Sequence, residues 1–594
     1  MTIGGRLTQL ETSGLIQLVS TQPDLEYIFR HALIQDAAYD SLLKSDRRRL
    51  HLAVGEVLER LYPERREELA VQLADHFSEA GESGRAAVYF ILAGDRAARG
   101  FANREAISLY TQALTHVSAD SPERIRVLRA RAGILEIVGE FKKADNDLEN
   151  ALKEARTAGL TQEEWQVLLD LGSLWASQDY GKTGTYYKEA LKLAPRVNTR
   201  ESLAHSLNRM GNWYVNAEQS DEGVNSHQQA LAIFKEQSNL DGISETLDFL
   251  GMAYSLRGEL KSAREKLEEA LDMFNQSGNR RGFISSTTTL SLLNANYQGE
   301  TFVSGDFTIA MGAATAQRAV TLAHEIGWRP GEMWALCCLA VNEGTRGEYQ
   351  VALKAAGRAL EIGQEIGHKQ WLAMVYTGLG FLYYDLCSMD RSEESVESGV
   401  KLARSLRSQH WIHISGSILA LVYIAQGRTN EARVLLDATL SLDSPAQTMG
   451  QRLVWVARVE LALSLNHPET ALTYIEKMRD CCYHYSPETP VLLLDLLEGK
   501  ALTQLAESSF DEKRAQLQAE AEKALRKAHN IAEAQGSSSK LWRIHRATAR
   551  LYRQMGRDVE AENEDKMATT MIYHLADKIG DEALKDTFIK NNVG

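Results

Sequence analysis

A small residue recurs along this chain at intervals of about forty, and that beat limits the available folds more than any other feature. The stretches "LNRMGNWYV" (207–215), "LDFLGMAYS" (247–255), "YTGLGFLYY" (376–384) and "ILALVYIAQG" (418–427) lie in register. Gly211, Gly251, Ala340, Gly380 and Ala420 hold one place in the pattern, and Tyr214, Tyr254, Tyr383 and Tyr423 hold the place three residues later. Twelve positions after the small residue a second set begins, as in Ala263, Leu267 and Ala270 or Ala352, Ala356 and Ala359. Spacings of four and three put each set on one helical face. Seven positions after the small residue comes a glycine, at Gly81, Gly139, Gly258, Gly347, Gly427 and Gly556. A helix end commonly needs a left-handed residue there. The unit is therefore a pair of antiparallel helices. One pair cannot cover its own apolar face, so consecutive pairs must stack and share an interior.

Composition agrees with an extended helical array. The chain has 594 residues but only 9 prolines, with 44% hydrophobic and 25% charged residues. A formal charge of -14 argues against a broad nucleic-acid surface. No run approaches the roughly 18 apolar residues of a membrane span. The N-terminal "MTIGGRLTQLETSG" lacks the order of a signal peptide, so a cytoplasmic location is expected. Five cysteines, two of the pairs adjacent (Cys337-Cys338 and Cys481-Cys482), make a poor disulfide framework. "CCYHY" (481–485) reads as ordinary packing, because adjacent cysteines do not easily share one tetrahedral ion. No metal and no cofactor are expected.

The pattern of small residue, aromatic, then Ala, Leu or aromatic, and Ala resembles the tetratricopeptide repeat, here in a long form whose second helices end at glycines such as Gly278, Gly327, Gly367 and Gly536. The resemblance runs over roughly residues 66–577, about a dozen helical hairpins. It implies an all-α fold, a right-handed α-α superhelix. Two departures stand out: an insertion, "NYQGETFVSGDFTIAM", in the repeat near Ser291, and Met478 where Ala is usual.

One stretch invites an enzymatic reading. "ASQDYGKTG" (176–184) fits a loose spelling of the phosphate-binding loop. A working loop follows a hydrophobic strand, however, and "QVLLDLGSLW" has helical periodicity. With a one-residue slip the segment joins the repeat: Trp175 is the aromatic, and Thr183, Tyr187 and Ala190 form the second-helix face. The spacing predicts a corner between two helices and no nucleotide site.

The first sixty residues do not follow the beat. Leu7, Leu10, Leu15 and Ile16 suit a short helix running into a strand; "LIQLVS" and "LEYIFRH" read as strands around "TQPD"; Leu42, Leu43, Leu50, Val54 and Leu58 keep helical spacing. Helix, two-stranded wing and helix describe the end of a winged-helix domain. "YIFRHALIQDAAYDSLLKSDRRRLH" resembles the junction between winged helix and repeats in the signal-transduction ATPases with numerous domains, a family that includes adenylyl-cyclase-like, kinase-linked and maltose-regulator-like members. "KLWRIHRATARLYRQMGRDVEAENE" resembles the close of their arrays. The domains expected are therefore 1–62, the winged-helix remnant with a linking helix; 63–577, the repeat superhelix; and 578–594, a tail. The resemblance implies a nucleotide module that is lost or encoded separately, with His31 at the place where relatives contact a bound nucleotide. His31 could act so only beside such a module. Arg47, Arg48 and Arg49 with Arg65 and Arg66 make a local basic patch, but in this family the domain packs on the ATPase core, so DNA contact is not expected.

No catalytic triad, metal-ligand spacing or paired-carboxylate context emerges, so the chain is not expected to be an enzyme. The expected function is a protein-interaction or ligand-sensing scaffold in signal transduction, the regulatory arm of such an ATPase. The other reading is the non-catalytic part of a cyclase- or kinase-linked ATPase, or a small-effector sensor of a transcription regulator. A helical superhelix offers its concave side to partners. There Asn208, Asn212 and Asn216 are spaced four apart, and Asn can both donate to and accept from a peptide backbone. Asp248, Met252 and Ser255 on the neighbouring helix, and Thr377, Phe381 and Tyr384 on a later one, complete the expected groove for a protein or peptide partner or a small effector.

Overall fold

In a computed structural model, residues 2–21, 25–119, 121–197, 199–293, 307–485 and 491–593 are described. The turn at "TQPD" and most of the insertion after Ser291 therefore lie outside the described residues, as do the side chains of Cys482, Tyr483 and Tyr485. The chain divides into two compact units, Met1–Ile134 and Leu135–Gly594. The first repeat helices group with the N-terminal elements in the first unit.

The first unit opens with the helix Ile3–Thr12, capped by the Thr2 hydroxyl, which accepts from the Gly5 amide at 3.4 Å. The strands Ile16–Ser20 and Glu26–Phe29 pair antiparallel, with Ile16 opposite Phe29 and Leu18 opposite Tyr27. The helices Ala32–Asp40 and Lys44–Leu61 follow. These are the expected elements in the expected order, but they bury little. The helices Ile3–Thr12 and Ala32–Asp40 contain no buried residue, and Lys44–Leu61 contains only Gly55. A Cβ on Gly55 would lie 2.8 Å from the Phe77 ring, so this helix packs its backbone against the buried Phe77. From Ala70 onward the unit gains an interior of Leu73, Ala74, Phe77, Phe90 and Tyr110.

The second unit is a run of helical hairpins, and the expected faces form its core. Ala263, Leu267, Ala270, Ala352, Ala356 and Ala359 are all at most 2% exposed. The small residue of each first helix lets the second helix approach. A Cβ on Gly211 would stand 2.7 Å from His227, and one on Gly251 would stand 2.5 Å from Leu267, in each case sixteen residues further on. Gly172 faces Tyr187, fifteen residues on, which is the one-residue slip of that repeat. The corners close as the spacing predicts: Gly258 and Gly347 end their helices at φ +93° and +84°, and the other four corner glycines are also left-handed. The final segment is helical. It holds the helix Glu582–Val593, whose Leu584 and Phe588 are buried beside Tyr349, Leu386 and Trp542.

The array also meets itself. The Gln370 amide donates to the Ser177 carbonyl at 3.2 Å, and the Arg452 guanidinium donates to the carbonyls of Leu256 (3.2 Å) and Arg257 (3.1 Å). Such contacts recur at chain separations of 189–196 residues. With about forty residues per hairpin, the superhelix turns once in just under five hairpins. The corners at Ser177, Glu218 and Arg257 thus rest on the helix starts at Gln370, His410 and Arg452 of the following turn.

Candidate functional site

The corner at 176–184 is built to hold a helix rather than a phosphate. Asp179 is the N-cap of the helix Tyr180–Leu193, and its carboxylate accepts from the amides of Gly181 (2.8 Å) and Lys182 (3.2 Å). Those donors would have to face a phosphate in a nucleotide loop, and here an aspartate already satisfies them. The Lys182 ammonium sits 3.5 Å from the centroid of the Trp175 ring. Thr183, Tyr187 and Ala190 are buried as the repeat register requires.

The expected groove residues separate into two groups. Asn208, Asp248, Thr377 and Phe381 are buried, so their side chains face neighbouring helices instead of solvent. Asn208 donates to Thr246 at 2.7 Å, and its carbonyl oxygen stands 3.2 Å from His227 Nδ1. Burial pushes His227 down to about 3, so its ring is neutral and Nδ1 carries the proton that Asn208 accepts. Asp248 accepts from Ser285 (2.9 Å) and Ser286 (2.7 Å) on the next first helix. Its burial, partly offset by those two hydroxyls, pushes it up to about 6. Thr377 donates to the Ala373 carbonyl, and Phe381 lies 5.2 Å from the Lys540 ammonium. The cause is the small hydroxyl residues at these heights (Thr246, Ser285 and Ser286), which bring adjacent first helices close enough for direct side-chain bonds.

Asn212, Asn216, Met252, Ser255 and Tyr384 are half-buried and keep some accessible surface. Asn216 donates to the Asn212 carbonyl at 2.9 Å, so these two form a pair. Met252 and Tyr384 pack against the central hydrophobic cluster that contains Met333, Trp334 and Ile414. Burial pushes the Tyr384 hydroxyl far above its ordinary value, so it is a neutral donor at any physiological pH.

In the first unit His31 occupies the N-cap of the helix Ala32–Asp40 but makes no side-chain cap bond, and its side chain is exposed. The basic patch is partly neutralised from within. Arg47 is 3.4 Å from Asp40 and stacks on Tyr39; Arg49 pairs with Asp46 (3.2 Å) and Arg65 with Glu68 (2.8 Å). No helix among the described residues is long and apolar enough to cross a membrane, and no group of three or more His, Cys, Asp or Glu side chains among them is placed to hold a metal ion.

Sequence reasoning missed one cluster, Glu218 with His410, His413 and Thr448. Its signal was present: Glu218 stands seven residues after Gly211, where other hairpins carry the corner glycine.

The repeat geometry agrees with the comparison to known families: a tetratricopeptide repeat model matches residues 202–276. Residues 202–276 carry tetratricopeptide repeats. No curated protein matches it. Among solved structures, a tetratricopeptide-sensor signal transduction ATPase with numerous domains from Pyrococcus horikoshii is 15% identical, covering 64% of this chain at a TM-score of 0.37. This chain spans about half, 55%, of that structure's length. A Rap protein in complex with competence and sporulation factor is 12% identical and covers 68% of this chain and 98% of its own, with a TM-score of 0.40. Yeast Tom70 is 16% identical and covers 85% and 95%, with a TM-score of 0.33.

Proposed function

We propose that this tetratricopeptide array is a protein-interaction scaffold, the regulatory arm of a signalling ATPase. The observation that carries this reading is the uncovered apolar surface of the first sixty residues. Ile3, Leu25, Leu33, Leu43 and Leu61 are each more than half exposed, with Leu33 at 81%, and the helices that bear them bury almost nothing. A two-stranded hairpin is marginal by itself, and so much apolar side chain left exposed in one segment fits a surface that a partner covers. His31, exposed at the start of the helix Ala32–Asp40, lies within this segment, where a nucleotide module seated on it would be met. The inner-wall residues Asn212, Asn216 and Ser255 then supply polar contacts for a peptide or protein partner on the repeats.

The test is affinity capture with the full chain followed by mass spectrometry, comparing wild type with L33D/L43D. The expected result is a nucleotide-binding protein recovered by wild type and lost from the double variant, with melting unchanged. Recovery that ignores the two substitutions overturns the reading, as does a wild-type capture without a nucleotide-binding protein.

A further inference from the structure

The corner after the helix Arg200–Asn216 departs from its neighbours. Where Gly258, Gly347 and Gly427 stand in other hairpins, this corner has Glu218, at φ +63°. A residue with a Cβ adopts that conformation at a cost. In return its side chain, 4% exposed, reaches into the next superhelical turn. There His410 Nδ1 and His413 Nδ1 each stand 3.1 Å from one of its two carboxylate oxygens, and the Thr448 hydroxyl donates to the carboxylate as well. Both histidines are 7% exposed, on the helix Gln409–Ala425; Thr448 caps the helix Met449–Ser464. Gly450 completes the fit, since a Cβ there would collide with Glu218 Oε1. The other corner in this series with a reactive side chain, Cys387 at φ +57°, likewise contacts a later turn, accepting from Asn592 at Sγ (3.3 Å).

An apolar side chain would seal this seam as well, because a buried carboxylate gains little over a hydrophobic substitute of the same shape. What a buried polar cluster does supply is one fixed register that can be released as a unit. Meanwhile Met252 and Tyr384, which belong to the expected recognition wall, are packed on the chain's own core. The geometry points to a closed form of the superhelix. We infer that the seam between its turns, clasped at Glu218, opens to present the inner wall to a protein or peptide partner.

This inference rests on the interaction reading for its purpose, but its test needs no partner. E218G restores the corner residue of the other hairpins and removes only the clasp. Hydrogen exchange and small-angle scattering on the full chain then compare E218G with wild type. The expected result is exchange about tenfold faster or more not only near residue 218 but also at the Gln370 amide, which donates across the seam one hairpin away, with a larger radius of gyration. Amides within the helix Leu260–Ser277 keep their protection. In S177C/Q370C/E218G, oxidation restores the seam and reduction releases it. Unchanged exchange at Gln370 overturns the proposal. So does a loss of protection in hairpin interiors that oxidation does not restore, because the cluster would then be ordinary core. An open seam without a captured partner would sink the interaction reading alone.

Discussion

The Asn208 amide donates to the Thr246 hydroxyl at 2.7 Å, and this bond ties two successive first helices of the array together. A residue with the spacing of a groove contact thus serves the stack. Asn208→Ala leaves the buried His227 Nδ1 proton without an acceptor and takes one donor from Thr246, which still donates to the Gly242 carbonyl; the loss costs about 1–3 kcal/mol. Urea unfolding should show that loss, and partner capture should be unaffected at temperatures where the variant is folded. Unchanged stability would show that the bond is not made in solution.

Asp248 is the neighbouring case, and its burial makes a pH prediction. Its carboxyl is raised from 3.8 to about 6 in the fold, with Glu245 adding to the rise. A carboxyl raised by folding contributes most stability below its unfolded value, and that contribution is lost as pH climbs through the folded value. Asp248→Asn keeps an acceptor for a serine hydroxyl and removes the charge. It should therefore be more stable than wild type by about 1–3 kcal/mol at pH 7.5, with the advantage fading below pH 4. Denaturant titrations at the two pH values check this; a variant less stable at pH 7.5 would contradict it.

Two glycines in adjacent hairpins should respond oppositely to alanine. A Cβ on Gly380 would collide with Val396, the residue sixteen further on, whereas one on Gly357 meets nothing within 4 Å in the middle of the helix Tyr349–Ile366. Gly380→Ala should cost about 1–3 kcal/mol through overpacking. Gly357→Ala should gain up to about 1 kcal/mol through helix propensity. Thermal melts of the two variants give the comparison directly.

These cases show which parts of the fold were legible in the sequence. The hairpins were, because a period of forty, a small residue at the crossing and a glycine at the corner are local and repeated, and each has one steric meaning. The corner at Lys182 was legible for the same reason: the repeat register outranked a short motif, and Asp179 now fills the place a phosphate would need. The inner wall was less so. Whether Asn208 faces solvent depends on how closely adjacent first helices approach, and that is set by Thr246, 38 positions away. The contact of Glu218 with His410 spans 192 residues and depends on the pitch of the superhelix, which no local pattern encodes. Only the missing glycine at 218 hinted at it.

The account depends most on the half-buried polar residues of the inner wall being those that hold a partner. Affinity capture with mass spectrometry, run side by side on the full chain and on N212A/N216A/S255A, tests this most directly. The predicted result is a partner depleted about tenfold or more on the triple variant, at a melting temperature matching wild type. Equal recovery of that partner by both proteins would contradict it.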